Sequence, residues 1–189
     1  MSRRRLIRII TYLIVLGILS ALGVSVSQTG QLDLPKTAAP PGMVRVTDAS
    51  DGDTIKVMQA GKEETVRLVG IDTPETHDPR VSVQCFGQAA SDKTKSLVIG
   101  KAVRLEPDPQ SSDRDKYRRL LRYVYLEDGR LLNQVLVEEG YAFAYTLFPN
   151  SKLEQFRGWE LAARQQNRGL WAGCNIDEAQ QKKQTTSKR

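Results

Sequence analysis

The chain has 189 residues, a formal charge of +6, 40% hydrophobic side chains and 6% aromatic ones, enough to bury one modest core and no more. The charge excludes any simple argument from basicity to nucleic acid. Residues 1–8 carry +4 and residues 175–189 carry +2, so the body between them is neutral and a basic binding face must come from how its charges are placed.

Residues 1–8, MSRRRLIR, hold four Arg and no acid, and residues 9–26 are eighteen uncharged positions rich in Leu, Ile and Val. A basic start before an apolar run fits a retained transmembrane anchor or a cleaved signal peptide, with a buried soluble helix as the third reading. The run is longer than a usual signal core and no clean A-x-A site follows, although Ser25 and Ser27 are small enough to permit cleavage nearby. With an anchor or a signal peptide, the Arg cluster is expected on the cytoplasmic side and the rest outside: cell membrane facing outward, or secreted or periplasmic after cleavage. Residues 27–42, polar and rich in Pro and Ala, read as a linker. The folded domain is predicted over residues 43–174, with 175–189 as a disordered tail.

Within that domain, MVRVTDA (43–49) alternates as a strand does, and SDGD makes a tight turn. TIKVMQA (54–60) and ETVRLVGI (64–71) read as two more strands joined at Ala60-Gly61-Lys62, and Pro74 and Pro79 stop the second from continuing. Residues 86–100 read as a helix with apolar contacts at Phe86, Ala89, Ala90, Leu97 and Val98 and a stop at Gly100. KAVRLEP (101–107) is the fourth strand, and RRLLRYVYLEDG (118–129) is the fifth. A short helix, LLNQVLVEEG, closes at Gly140, and YAFAYTLFP reads as an irregular apolar segment. Ser151 is placed to cap a last helix that runs to Arg168 and buries Leu153, Phe156, Trp159 and Ala163. Five short strands with three helices predict a small β-barrel with a helical flank, an α+β fold.

Four acids, Asp51, Asp53, Asp72 and Glu75, fall in two turns at strand ends. If those strands pair, the acids converge at one barrel edge, where a hard cation such as Ca²⁺ or Mg²⁺ is the physical match. Asp-Gly-Asp alone is an ordinary turn; the second acidic turn is what raises the metal reading. Arg67 alternates with apolar neighbours and points either to a solvated face or into a polar end of the barrel, where its planar fork suits phosphate. Arg119, beside the charged run RDKYRR, offers a second fork. Spacing does not choose between these readings. Cys85 and Cys174 would both be exported, and an even count in an oxidising compartment permits one disulfide between them, against two separate buried thiols. His77 reads as a solvated loop residue, Tyr123 and Tyr125 as packing on a strand, and Trp159 and Trp171 as core or helix-docking residues.

Taken together, Asp51-Gly52-Asp53-Thr54, Arg67, Asp72-Thr73-Pro74-Glu75 and Asp115-Lys116-Tyr117-Arg118-Arg119 recur in order at intervals that resemble the staphylococcal nuclease (thermonuclease) family, over about residues 43–172. The closing NRGLWAG is similar to the end of many such domains. The resemblance implies an OB-fold, a five-stranded barrel with three helices, and a Ca²⁺ site from Asp53, Asp72 and the carbonyl of Thr73, with Asp51 in an outer position. It implies Glu75 as general base or water-orienting group, and Arg67 and Arg119 as phosphate ligands that stabilise transition-state charge. Lys116, Tyr117 and Tyr145 correspond to nucleotide-contacting positions. The chain departs from the pattern at Arg118, where the staphylococcal form has Gly, and at Leu147, where a second aromatic is expected. The function implied is extracytoplasmic Ca²⁺-dependent cleavage of DNA and RNA by a monomer, without sequence readout. The alternative is a catalytically inactive nucleic-acid-binding barrel at the cell envelope, which would be expected to lack Arg67, Glu75 or Arg119; all three are present.

Overall fold

A computed structural model describes residues 39–76 and 84–176, together with a short antiparallel pairing of Ser25–Val26 with Leu32–Asp33. The chain divides into two compact units, Met1–Ala38 and Ala39–Arg189. The pairing falls where the end of the apolar run and the linker were expected. The basic start, the run up to residue 24, His77 and the tail from residue 177 lie outside the described residues. Among the described residues no helix is long and apolar enough to cross a membrane.

The second unit is built on a closed barrel of five strands, β1 (Val44–Ala49), β2 (Thr54–Gln59), β3 (Lys62–Leu68), β5 (Ala102–Pro107) and β6 (Leu120–Tyr125), in the order β1-β2-β3-β6-β5. All neighbours are antiparallel except β3 and β6, which run parallel with Val66 opposite Leu120 and Arg67 opposite Leu121. Alternation fills the interior: Val46, Ile55, Val57, Val66, Leu68, Val103 and Val124 are all buried. A register shift between Val46 and Asp48 is the bulge that bends β1 around the barrel. Between β2 and β3, Ala60 and Gly61 both take positive φ, the turn hand that matches strand twist.

The run LVGI does not continue as one strand. It ends at Leu68, turns through Val69-Gly70 with φ +77° at Gly70, and resumes as β4 (Ile71–Asp72). β4 pairs antiparallel with β7 (Phe143–Ala144), so part of the apolar segment expected to be irregular is a strand. A Cβ at Gly70 would lie 2.4 Å from the Phe156 ring, so this turn packs directly on a distant helix.

Helices α1 (Gly87–Val98), α2 (Leu132–Glu138) and α3 (Leu153–Gln165) cover the barrel, and a fourth short one, α4 (Leu170–Gly173), follows. The last helix therefore stops three residues before Arg168 and splits, with Asn167 and Gly169 at positive φ and Leu170 N–H donating to Gly140 O at 2.8 Å. Ser151 is not its cap. The first helical residue is preceded by Lys152, and the Ser151 N–H donates to Asp108 Oδ2 at 2.9 Å. Of the apolar residues expected to face the barrel from α1, Ala90 and Val98 are buried, and so are the polar Ser91 and Thr94.

Cys85 and Cys174 are joined in a disulfide across 89 positions, with Cα atoms 6.0 Å apart. Closing a loop of that length removes denatured-state entropy worth about 4–5 kcal/mol in the chain-entropy account.

One buried polar cluster had no counterpart in the sequence reading. Asp108, 4% exposed, accepts from the Tyr123 hydroxyl at 2.6 Å and from the N–H groups of Gln110 and Ser151. Burial raises the Asp108 pKa, and these donors more than offset it, leaving the carboxyl below its ordinary value. A carboxylate depressed in the folded state contributes stability above the ordinary Asp range, and that contribution is lost as pH falls through the folded value. Asp108→Asn is expected to lower unfolding free energy by about 2 kcal/mol at neutral pH. In urea titrations the gap to wild type should narrow below about pH 4; a gap that stays constant down to pH 3 would count against this ion-dipole role.

Candidate active site

The first acidic turn links β1 to β2. Asp51 Oδ1 accepts from the Asp53 N–H at 3.1 Å, which shapes the turn, and the Asp53 carboxylate points into the protein at 1% exposure. Two contacts fix this turn, one to α1 and one to the second acidic turn. Thr94 Oγ1 on α1 donates to Gly52 O at 2.7 Å, and the Thr73 N–H donates to Asp53 Oδ2 at 2.9 Å. Gly52 is required by space. A Cβ there would meet Thr73 Cγ2 at 2.6 Å, and Thr73 is a buried, β-branched side chain with little room to yield. What reads locally as an ordinary Asp-Gly turn is a close approach between two acid-bearing loops.

Arg67 on β3 lies opposite Thr54 of β2, and this register brings it beside Asp53. It is buried, not solvated: Nη2 sits 3.0 Å from Asp53 Oδ2 and 2.9 Å from Asp72 Oδ1, while Nη1 donates to Leu68 O at 3.1 Å. Burial works against its charge, and the fields of Asp53, Asp72 and Asp51 outweigh that, raising its pKa above the ordinary Arg value. Two buried carboxylates share this one guanidinium.

Among the described residues no group of three or more His, Cys, Asp or Glu side chains is arranged to hold a metal ion. The donors at this spot nevertheless fit a hard cation. Asp53 and Asp72 are buried all-oxygen ligands, and Thr73 Oγ1 beside them is buried with no hydrogen-bond partner. Two carboxylates and a carbonyl are a sparse set, one that would leave much of the coordination to water and substrate oxygens.

Glu75 follows Pro74 and is half-buried. Its Oε1 accepts from the Thr76 N–H at 3.0 Å, and its main chain is bonded twice to Gln84. Arg119, just before β6, is held by Asp115, with Nε and Nη2 each 2.7 Å from Oδ2. Arg67 and Arg119 line one cleft of about 500 Å³ together with Lys116, Tyr117, Tyr145 and Phe148. Glu75, Asp53 and Asp72 do not line it; the two Asp residues adjoin it through Arg67.

Both departures noted in the sequence acquire a structural account. Arg118 adopts φ +66°, so the turn keeps a left-handed conformation with a side chain in place of Gly, at a cost of about 1 kcal/mol. The Arg118 N–H donates to Asp115 O, and Arg114 Nη1 donates to Arg118 O, which fastens the turn on both sides. Leu147 does not leave Tyr145 without an aromatic neighbour, because the Phe148 ring lies 5.8 Å from that of Tyr145 and is 59% exposed. Phe148 was missed because the aromatic was sought one residue earlier in YTLFP. Tyr117 stands 60% exposed at the cleft, with Lys116 Nζ and the Arg119 guanidinium 5.1 and 5.3 Å from its ring.

A closed five-stranded barrel with helices, two acidic turns clasping a buried Arg, and a second Arg in an aromatic-lined cleft define an OB-type barrel domain. Residues 65–173 match the family described as Staphylococcal nuclease homologue. Endonuclease YncB of Bacillus subtilis (strain 168) is 44% identical over 131 residues, which cover 68% of this chain and 61% of that protein. The SPbeta prophage-derived endonuclease YokF of the same organism is 44% identical over 131 residues, 68% of this chain and 44% of that protein. The thermonuclease of Staphylococcus hyicus is 39% identical over 129 residues, 68% of this chain and 75% of that protein. The match thus spans less than two thirds of either Bacillus protein. The chain belongs to the staphylococcal nuclease family, whose nucleases are in general metal-dependent.

Proposed function

We propose that this protein is a Ca²⁺-dependent nuclease that hydrolyses phosphodiester bonds in DNA and RNA outside the cytoplasm. One observation carries the reading: a buried Arg67, held between Asp53 and Asp72, opens onto the same cleft as Arg119 and three aromatic rings. Two guanidiniums directed at one cleft suit a phosphate whose charge grows in the transition state. The exposed rings of Tyr117 and Phe148 suit bases, which stack without sequence preference. The names of the relatives, endonuclease and thermonuclease, agree with this chemistry.

Asp53, Asp72 and the Thr73 carbonyl would hold Ca²⁺, which when bound neutralises phosphate charge and helps place the nucleophile. The steps assigned to the chain's own residues are few. Glu75 orients a water and accepts its proton as the water oxygen bonds to phosphorus. Arg67 and Arg119 hold the non-bridging oxygens. The bond from phosphorus to the 5′-oxygen breaks, and that oxygen departs and takes a proton from solvent. Export agrees with the N-terminal pattern and with the disulfide, which persists in oxidising compartments; the mass of the mature protein would separate an anchor from a cleaved signal peptide.

The purified chain is expected to cut single-stranded DNA when Ca²⁺ is added and to stop when EGTA removes it. Binding without cleavage in Ca²⁺ would favour the inactive nucleic-acid-binding barrel. Cleavage indifferent to EGTA would remove the metal from the proposal.

A further inference from the structure

Four consecutive residues, 84–87, are each fastened, and two of them grip the loop that carries Glu75. Gln84 Oε1 accepts from the Glu75 N–H at 2.6 Å, and the Gln84 N–H donates to Glu75 O at 2.9 Å, so one residue brackets the main chain of the other. Gly87 opens α1 directly against the same loop. A Cβ there would lie 2.9 Å from Glu75 O and from Thr76 Cγ2, and 3.2 Å from Pro74 O. The other two residues anchor the strap to the far end of the domain. Cys85 is bonded to Cys174 just past α4. Phe86 takes φ +69°, unusual for an aromatic residue, with its ring 5.4 Å from that of Tyr141.

Glu75 lies in the loop that follows β4. It is half-buried, follows a Pro and belongs to no strand, and its carboxylate is engaged by its own neighbour Thr76. A general base must stand within hydrogen-bond reach of its water, and small misplacements cost much rate. From this placement we infer that the strap 84–87 positions Glu75, with Gln84 as the positioning residue and the Cys85–Cys174 bond as its fastening, so that turnover responds to the redox state of the disulfide. The inference rests on the role proposed for Glu75 above. The redox step balances simply: a dithiol reductant supplies two electrons and two protons, Cys85 and Cys174 become thiols, and the reductant closes to its own disulfide.

The test compares steady-state cleavage of single-stranded DNA in Ca²⁺ by the full chain and its variants. Gln84→Met keeps the side-chain length and removes the acceptor, and it is expected to lower kcat about tenfold with KM within about twofold. Gln84→Glu restores an oxygen to the same N–H and should recover part of that loss. Dithiol reduction should lower kcat in wild type and much less in Gln84→Met, because both act on one element. Circular dichroism at the assay temperature identifies the folded species that are compared, and Cys85→Ser/Cys174→Ser provides a reduced state free of reductant. Equal kcat for Gln84→Met and wild type would overturn the inference, as would reduction and Gln84→Met losses that multiply independently. The outcomes separate from those for the function itself. A Glu75→Gln variant that is inactive beside a fully active Gln84→Met sinks only the strap, whereas a wild type that cuts nothing overturns both.

Discussion

Replacing Glu75 by Gln is expected to slow cleavage by about 10²–10⁴-fold, the usual contribution of a positioned general base, while the thermal midpoint hardly moves. The structural reason for the second half is specific. Glu75 is half-buried, and the hydrogen bond that its Oε1 accepts from the Thr76 N–H is one that the Gln carbonyl oxygen can also accept. The bracket from Gln84 involves only the Glu75 main chain and survives the change. Fold and cleft would therefore persist in a protein that has lost its proposed proton acceptor. Affinity for a non-hydrolysable oligonucleotide should stay near wild type, so the loss appears in kcat. A variant that cleaves at the wild-type rate would remove Glu75 from the chemistry, and one that fails to fold would show the residue to be structural.

Arg67→Met should behave in the opposite way and damage both stability and activity. The guanidinium is paired with two carboxylates that are each 1% exposed, and Met removes that pairing from both. Breaking a buried ion pair from one side costs about 3–5 kcal/mol, a shift easily read in denaturant unfolding without metal. Loss of a transition-state donor should separately lower turnover by about 10²–10³-fold. Added Ca²⁺ then provides a discriminating measurement. If Asp53 and Asp72 hold the cation, Ca²⁺ should stabilise Arg67→Met more than it stabilises wild type, because the ion takes over neutralisation that Arg67 supplies. Equal stabilisation of the two proteins would argue that the cation sits elsewhere.

Much of the barrel could be read directly from the sequence. The alternating apolar residues of VRVTDA and TIKVMQ mark two of its strands locally, and turn residues mark where they end. The errors fall where a distant partner decides. LVGI is apolar throughout, and its turn combines the positive φ of Gly70 with a Phe156 ring that leaves no room there for a side chain. Ser151 has the right chemistry for a helix cap, but its hydroxyl lies 3.4 Å from that of Tyr123, and the helix starts only after Lys152. The candidate site divides in the same manner. Acids in turns and an Arg in a strand suggested a phosphate centre, while the choice for Arg67 between solvent and a buried end stayed open. That choice depends on the register of β2 against β3 and on Asp72 returning beside it. Gly52, Gln84 and Phe148 carry no local signal beyond being turn, polar and aromatic residues, and each matters through what it touches across the fold.

The covalent ring closed by Cys85 and Cys174 divides the proposed site unevenly. Asp53, Arg67, Asp72 and Glu75 precede it, whereas Lys116, Tyr117, Arg119, Tyr145 and Phe148 lie inside it. A single peptide-bond break anywhere within the ring, including the exposed polar turn at residues 110–118, produces two fragments that remain one molecule. The acid-bearing half and the cleft-forming half would stay tethered after such a cut. In the proposed extracytoplasmic setting, where proteases act, the disulfide would insure against dissociation, a benefit quite apart from rigidity or folding energy.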